Sequence, residues 1–548
     1  MIDQPCLLGF HRNSSCLKRE KIEAFLDAVI RPCEARPLII DVEAMVNNQT
    51  KIDSLLEKGV GLMRQGAFSD AEKVLKKVLV KVPREPTALE ALAVILMEQG
   101  NVSAAIERFN QALHNGSERP DLHYNLGNAY AAASRFPDAA AAYRRAVELE
   151  DGFIEAWFNL AEVLEKLDRL QGSIDAYQKV LELDSDLAPA LTNLGCVLTE
   201  AGRLEEAIAA FEKSIELEPA FPPTHTNLGN AHKYAGALDL AITAHREAIR
   251  LAPGYADAHY NLGIALSMAG EFGEAEKTFH SALKFGPSLN RARLALGAAQ
   301  IGLGKSESAI GLCDAASPDD CEMLALKPFA MIAHGLGDEA RSFADYDRFV
   351  NSFILSAPPG YATLDEFNDR LVEHILEHPS LAHAPTSHAT VNGQHTGNLL
   401  IGPKGPFADF EEVLWGAVGS YQKELSQTVG HPFRGDRKLT ELVVWAIVME
   451  RDGFQVPHIQ PNGWVSGVYY PRLPAFEASI KGSDFAGCLE FGAPPPDIPF
   501  DGEVHLKTVQ PEEGMLVLFP SFFYHRTIPF EDEATRVSIA FDFRPDVS

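Results

Sequence analysis

The chain has 548 residues, 46% hydrophobic and 23% charged, a composition that excludes a disordered polymer and is too long for one ordinary core. Lys and Arg total 48 against 76 Asp and Glu, and a formal charge of −28 repels phosphate backbones and anionic lipid. Nucleic acid and membrane are therefore excluded as expected partners, and a neutral or basic polypeptide is favoured.

No apolar run nears the roughly 18–20 residues that span a bilayer, and no basic-then-apolar leader opens the chain. The seven cysteines are scattered and form no CxxC pair, so free thiols in a reducing, cytoplasmic setting are expected. Residues 1–50 carry a KREK run at Lys18 to Lys21 but no repeat, and are read as a disordered or misassigned N-terminal segment. Met45, directly before NNQT, is a candidate initiator.

From residue 51 to 318 the chain repeats itself. Ala71, Ala105, Ala139, Ser173, Ala207, Ala241, Ala275 and Ala309 fall at steps of 34, and so do Gly66, Gly100, Ser134, Asp168, Gly202, Gly236, Gly270 and Gly304. In the fifth unit Leu191, Leu194 and Leu198 form a helical stripe. Gly202 ends that helix, Ala207 lets the second helix approach, and Pro219 stops it. Neither helix buries its stripe alone, so eight units must stack into a solenoid.

Period and residue types resemble the tetratricopeptide repeat, a family whose concave surface binds segments of other proteins. Asn125, Asn159, Asn193, Asn227 and Asn261 share one register. Stacking should align them as a ladder able to grasp a peptide backbone, since each amide offers a donor and an acceptor. The row is similar to the asparagine ladder of the O-linked N-acetylglucosamine transferases. His123, His225 and His259 share another register and are read as packing residues.

Residues 319–357 read as a helical cap of the solenoid, with a boundary at Pro358-Pro359-Gly360, and residues 358–440 as a helical lead-in to a C-terminal barrel. The lead-in contains His374, Glu377 and His378, an H-x-x-E-H string that on one helix face suits a zinc peptidase; an exposed polar face is the favoured reading. The stretch from His383 to Gly405 reads as loop, and a helix runs from Phe407 to Gln427.

Residues 441–548 change to β texture. ELVVWAIVM is a strand closed by an Asp452-Gly453 turn, and five short strands follow, from Trp464, Cys488, Val504, Met515 and Arg536. Many short strands between Gly- and Pro-rich turns point to a jelly roll. His458 precedes one strand and His525 follows another, a pair of imidazoles suited to a non-haem iron that also needs a carboxylate. Arg536 and Ser538 share a strand face and suit the distal carboxylate of 2-oxoglutarate, with Val537, Ile539 and Phe541 on the other face.

PHIQPNGWVSGVYYP, EEGMLVLFPSFFYHRTIPF and RVSIAFDF are similar to the 2-oxoglutarate/Fe(II) oxygenase domains attached to bacterial tetratricopeptide arrays. The resemblance implies a double-stranded β-helix, His458 and His525 as iron ligands, and Arg536 as the anchor of 2-oxoglutarate with Ser538 as its hydroxyl partner. It also implies that Tyr470 or Tyr469 points into the pocket. Gln460 stands where an acidic ligand or a further histidine belongs. Either Gln460 or water takes the third position, or Glu490 completes it, or the barrel is inactive.

The expected architecture is therefore multidomain, an α-solenoid followed by an all-β jelly roll. The expected function is an Fe(II)/2-oxoglutarate-dependent hydroxylase whose solenoid binds a protein or peptide. A non-catalytic repeat scaffold with an inactive barrel is the alternative.

Overall fold

A computed structural model describes residues 42–116, 118–383, 389–425, 431–433, 437–474, 485–530 and 535–546. The segment read as 1–50 lies mostly outside the described residues, and the first described helix is Val42–Arg64. The chain divides into two compact units, one ending at Ala231 and the other beginning at His232.

In the unit ending at Ala231, helices of 13 or 14 residues alternate from Phe68–Lys81 to Leu204–Leu217. Each first helix ends in left-handed backbone. Gly66, Gly100, Ser134, Asp168 and Gly202 have φ between 56° and 77°, and in the other unit Gly236, Gly270 and Gly304 do the same at 70° to 79°. Glycine adopts this conformation freely, whereas Ser134 and Asp168 hold it against a Cβ clash that costs about 1–2 kcal/mol.

The second repeated feature is close approach. Ala71, Ala105, Ala139 and Ala207 are fully buried, and Ser173 keeps the pattern by donating its hydroxyl to the Ala161 carbonyl at 2.8 Å. A Cβ on Gly195 would stand 2.6 Å from the Phe211 ring, so the two helices of that unit meet where only glycine fits. Phe158, Tyr177, Leu194 and Phe211 fill the core that results.

The unit beginning at His232 carries the pattern on. Leu238–Leu251 to Ser306–Asp314 are again paired helices, with Phe279 against Gly263 at 2.4 Å from a notional Cβ. Helices Cys321–Ala333, Gly337–Phe343 and Tyr346–Phe349 follow. Their Phe329, Tyr346 and Phe349 enter one core that runs from Leu294 in the repeats to Phe543 in the strands. The Cys321 thiol donates to the Gly463 carbonyl at 3.2 Å, and Arg437 pairs with Asp319, tying these helices to the segments that lead into two strands, Leu439–His458 and Val465–Arg472.

The sheet comprises β1 (Asn351–Ile354), β2 (Ala382–His383), β3 (Thr390–His395), β4 (Leu439–His458), β5 (Val465–Arg472), β6 (Leu489–Phe491), β7 (Lys507–Val509), β8 (Met515–Pro520), β9 (His525–Thr527) and β10 (Arg536–Pro545). Its main path runs β1-β8-β5-β10-β4-β9-β6-β7, with every pair antiparallel and β3 also on β4. The architecture is the expected one, a helical solenoid followed by a double-stranded β-helix.

Three local expectations need correction. Asp452-Gly453 is not a turn, because β4 continues to His458. The register shift of β3 against β4 lies between Val391 and Gly393, opposite this stretch, and Asn392 takes a φ of 53°. The dipeptide therefore sits in a bulge that hands β4 from β10, its partner at Met449, to β9, its partner from Gln455. The His383 to Gly405 stretch, read as loop, supplies β3 and part of β2. Helix Leu364–Leu376 ends before Glu377, so the H-x-x-E-H string is split by a helix end. The His374 and His378 rings stand 5.7 Å apart, and His378 bonds Ser380.

Among the described residues no helix is long and apolar enough to cross a membrane.

Candidate functional site

β10 lies between β4 and β5, and its alternate residues Arg536, Ser538 and Ala540 face one cavity. Cross-strand neighbours complete the wall: Trp445 and Ile447 on β4, and Ser466, Val468 and Tyr470 on β5. His458, Gln460 and His525 line the same cavity. Six of the residues singled out for the barrel, His458, Gln460, Tyr470, His525, Arg536 and Ser538, thus meet in one place.

The two histidines are held by strand pairing. His458 closes β4 and His525 opens β9, and they are register partners across the ladder. Their rings stand 4.3 Å apart. His458 Nδ1 lies 2.8 Å from the Val456 carbonyl and His525 Nδ1 lies 2.9 Å from the Phe523 carbonyl. A carbonyl only accepts, so each Nδ1 carries the proton and each Nε2 presents a lone pair. This tautomer suits a ligating imidazole. Desolvation keeps both rings neutral: burial pushes His458 down to about 4, and burial followed by His458 holds His525 well below the usual imidazole range.

Gln460 follows in the turn after β4. Its N–H donates to the Ser521 carbonyl at 3.0 Å, its own carbonyl accepts from Gly463 at 3.1 Å, and the residue lines the cavity. Glu490, the alternative third ligand, does not. It points to the opposite sheet face from Leu489, which lines the cavity, and is ion-paired with Arg526 at 2.6 Å. Among the described residues no group of three His, Cys, Asp or Glu side chains is placed to hold a metal. The donors available to a cation here are two imidazoles and one neutral amide.

Arg536 is only 1% exposed. Nη1 donates to the Gly487 carbonyl at 2.6 Å, the guanidinium lies 5.1 Å from the Tyr470 ring centre, and Nε has no hydrogen-bond partner. No described carboxylate pairs with it. Burial pulls its proton affinity below the usual value while Tyr470 and Cys488 oppose the shift. A buried guanidinium without a carboxylate partner among the described residues is a costly arrangement that an entering carboxylate relieves. Ser538, 3% exposed, sits two residues along the same face. Tyr470 points into the cavity, whereas Tyr469 turns to the helical face and donates its hydroxyl to Asn368 at 2.5 Å.

Sequence reasoning overlooked two groups. Gln455 lines the cavity and donates to Thr390 on β3, a strand that had been read as loop. Asp542 continues the Arg536 row and bonds Ser466 at 2.6 Å, and Ser466 reaches Ser521 at 2.7 Å. Burial raises the Asp542 carboxyl to about 7. The alternation of residues 536, 538, 540 and 542 was the available signal.

The asparagine row is built into helix packing. Asn159 donates to Asn128 at 2.9 Å, Asn193 to Tyr177 at 3.2 Å and Asn227 to the Cys196 sulfur at 3.4 Å. Asn193, Asn227 and Asn261 are buried, while Asn125 and Asn159 are half-buried. The ladder therefore does not present five free amides, because stacking uses donors that a peptide backbone needs. His225 and His259 bond the Pro219 and Pro253 carbonyls, each at 2.9 Å.

The profile of a family described as "Putative 2OG-Fe(II) oxygenase" matches residues 443–542. Tetratricopeptide-repeat profiles match 56–120, 95–152, 124–189 and 226–290, and a further repeat profile matches 195–236. An uncharacterized protein, y4yS of Sinorhizobium fredii, is 35% identical over 120 residues, covering 22% of this chain and 62% of its own length. Among solved structures, the MamA protein is 25% identical over 30% of this chain and 91% of its own, with a TM-score of 0.30. YrrB, described as a TPR protein with an unusual peptide-binding site, is 22% identical over 34% of this chain and 96% of its own, also at 0.30. The chain thus combines tetratricopeptide repeats within residues 56–290 with a C-terminal domain of the 2OG-Fe(II) oxygenase family at residues 443–542.

Proposed function

We propose that this protein is an Fe(II)- and 2-oxoglutarate-dependent hydroxylase whose repeats bind a protein or peptide substrate. One observation carries the reading. A buried guanidinium with no carboxylate partner among the described residues shares a cavity with two imidazoles that backbone carbonyls hold through Nδ1.

His458 and His525 would hold the metal, with Gln460 as the candidate third donor. Arg536 receives the distal carboxylate of 2-oxoglutarate by its bidentate fork, with Ser538 and Tyr470 beside it. Bound together, the metal and cosubstrate supply the oxidising chemistry, consuming O₂ and releasing succinate and CO₂ as a C–H bond becomes C–OH. The chain's own contribution is orientation and exclusion of water. The Val456 and Phe523 carbonyls fix the two rings, and Trp445, Ile447 and Phe519 supply an apolar wall.

Capture of a polypeptide by tetratricopeptide repeats is a general property that supports the first half of the reading. Asn125 and Asn159, the two half-buried members of the row, are the amides proposed to touch it, Asn159 by its carbonyl oxygen because its Nδ2 is bonded to Asn128. Anaerobic addition of Fe(II) and 2-oxoglutarate should give a weak visible charge-transfer band, lost in His458→Ala and in His525→Ala. Absence of both metal and cosubstrate binding at millimolar concentrations overturns the reading. It would leave a repeat scaffold with an inactive barrel, a reading favoured by the neutral side chain at Gln460.

A further inference from the structure

We propose that the sheet edge at β1, with the groove beside it, takes an extended segment of another polypeptide as an added strand. Its apolar side chains would enter the groove, with a basic one at the Glu424 end. This surface shares no lining residue with the barrel cavity, so it stands apart from the oxygenase reading.

β1 ends the main path of the sheet and pairs with β8 alone among the described strands. Its outer row of N–H and C=O groups therefore faces no described strand. Such edges are ordinarily guarded by Lys, Pro or a bulge, because they template pairing with another chain. β1 has none of these guards: it reads NSFI, and its register against β8 runs without a shift. Phe353 and Ile354 are 38% and 47% exposed.

Asn351, Phe353 and Leu355 are alternate residues and line a groove of about 350 Å³ whose other wall is helix Phe407–Leu425. That helix contributes Val413, Gly416 and Ala417 to the groove. A Cβ at Gly416 would meet nothing within 4 Å, whereas one at Gly263 would stand 2.4 Å from Phe279. Packing within the chain therefore does not require this helical glycine, and the space above it is open.

The occupant follows from backbone and charge. An extended backbone satisfies the free groups of β1, and every second side chain then enters the groove. Glu424 is the one charged residue lining the groove among the described residues, and its Oε2 accepts from Asn351 Nδ2 at 3.3 Å. With a net charge of −28 on the chain, this opposes a second copy and favours a segment carrying a basic residue.

The test adds the full-length chain to a fluorescein-labelled heptapeptide, VTVTVTK, and follows fluorescence anisotropy. The valines and the lysine of this probe share one strand face. Saturable binding is expected, and VTPPVTK, which loses a ladder N–H in either register, should bind about tenfold more weakly or worse. Gly416→Leu fills the groove from an open position, and Phe353→Lys guards the edge. Each should weaken VTVTVTK by about tenfold or more, with an unchanged circular dichroism spectrum. No binding at millimolar concentrations, or equal binding of the two peptides, overturns strand addition. Binding unchanged in either variant moves the peptide to another surface and overturns the site. A dimer in sedimentation equilibrium that Phe353→Lys abolishes makes a second copy the occupant and overturns the proposal. Neither metal nor 2-oxoglutarate is present, so each of these failures leaves the oxygenase reading untouched.

Discussion

The repeats and the barrel use opposite kinds of information. A repeat is defined by residues within 34 positions of one another: a left-handed corner, a small residue at the helix crossing, and an aromatic ring behind it. The cavity is defined by residues far apart in the chain, with His458 beside His525 and Arg536 next to the Gly487 carbonyl. In the first case one substitution is felt by one unit and its neighbours. In the second it is felt by a site to which six strands contribute. Solenoid stability is close to a sum of local terms, whereas a site of convergent groups is not divisible.

That contrast can be broken most severely in the array. Phe211, fully buried behind Gly195, should lose about 3–5 kcal/mol of unfolding free energy on Phe211→Ala, measured by urea denaturation. A loss below about 1 kcal/mol would mean that the neighbouring units repack around the cavity.

In the barrel, Arg536→Lys keeps the charge but removes the planar fork. Cosubstrate binding in the presence of Mn(II) should weaken by about 2–5 kcal/mol, read by calorimetry. An unchanged dissociation constant would take the guanidinium out of the site.

A smaller effect follows from Asp542. Burial raises its carboxyl to about 7, while Ser466 and Arg544 oppose the shift. The folded state therefore keeps a proton that the unfolded chain releases near pH 4. The associated stability is full below that pH and is lost as pH rises toward 7. Asp542→Asn should flatten the fall of the thermal midpoint between pH 4 and 7. An identical pH profile in the variant would remove Asp542 as its source.

The smallest expected change tests the corner. Ser134→Gly and Asp168→Gly relieve a left-handed residue and should each stabilise the chain by about 1 kcal/mol in the same urea assay. Destabilisation by either would show that the side chain contributes more than its strain.

Much of this was legible before any coordinates. Eight in-phase corners and eight in-phase small residues announced the solenoid, and every corner has positive φ, including the two that are not glycine. In the barrel, His458, Gln460, His525, Arg536 and Ser538 were singled out from motif order and Tyr470 as one of a pair with Tyr469 by resemblance, and these six line one cavity. Less legible was anything depending on partners. Asp452-Gly453 carries a strong turn signal, yet β3 pairs across it and turns it into a bulge. The asparagine row looked like a free ladder, but the unit stacked before Asn159, Asn193 and Asn227 uses the amides of these three.

By itself, the sequence determined the repeat, its corners and the order of the chemistry-bearing residues along the strands. These depend on backbone conformations and side-chain periods that neighbours in the chain impose. Tertiary structure alone decided which nitrogen of each histidine bonds a backbone carbonyl, that Glu490 faces away from the cavity, and that Arg536 is buried without a described carboxylate partner. Those are facts of pairing between distant strands. A charge or a lone pair acquires its chemistry from what folding places opposite it.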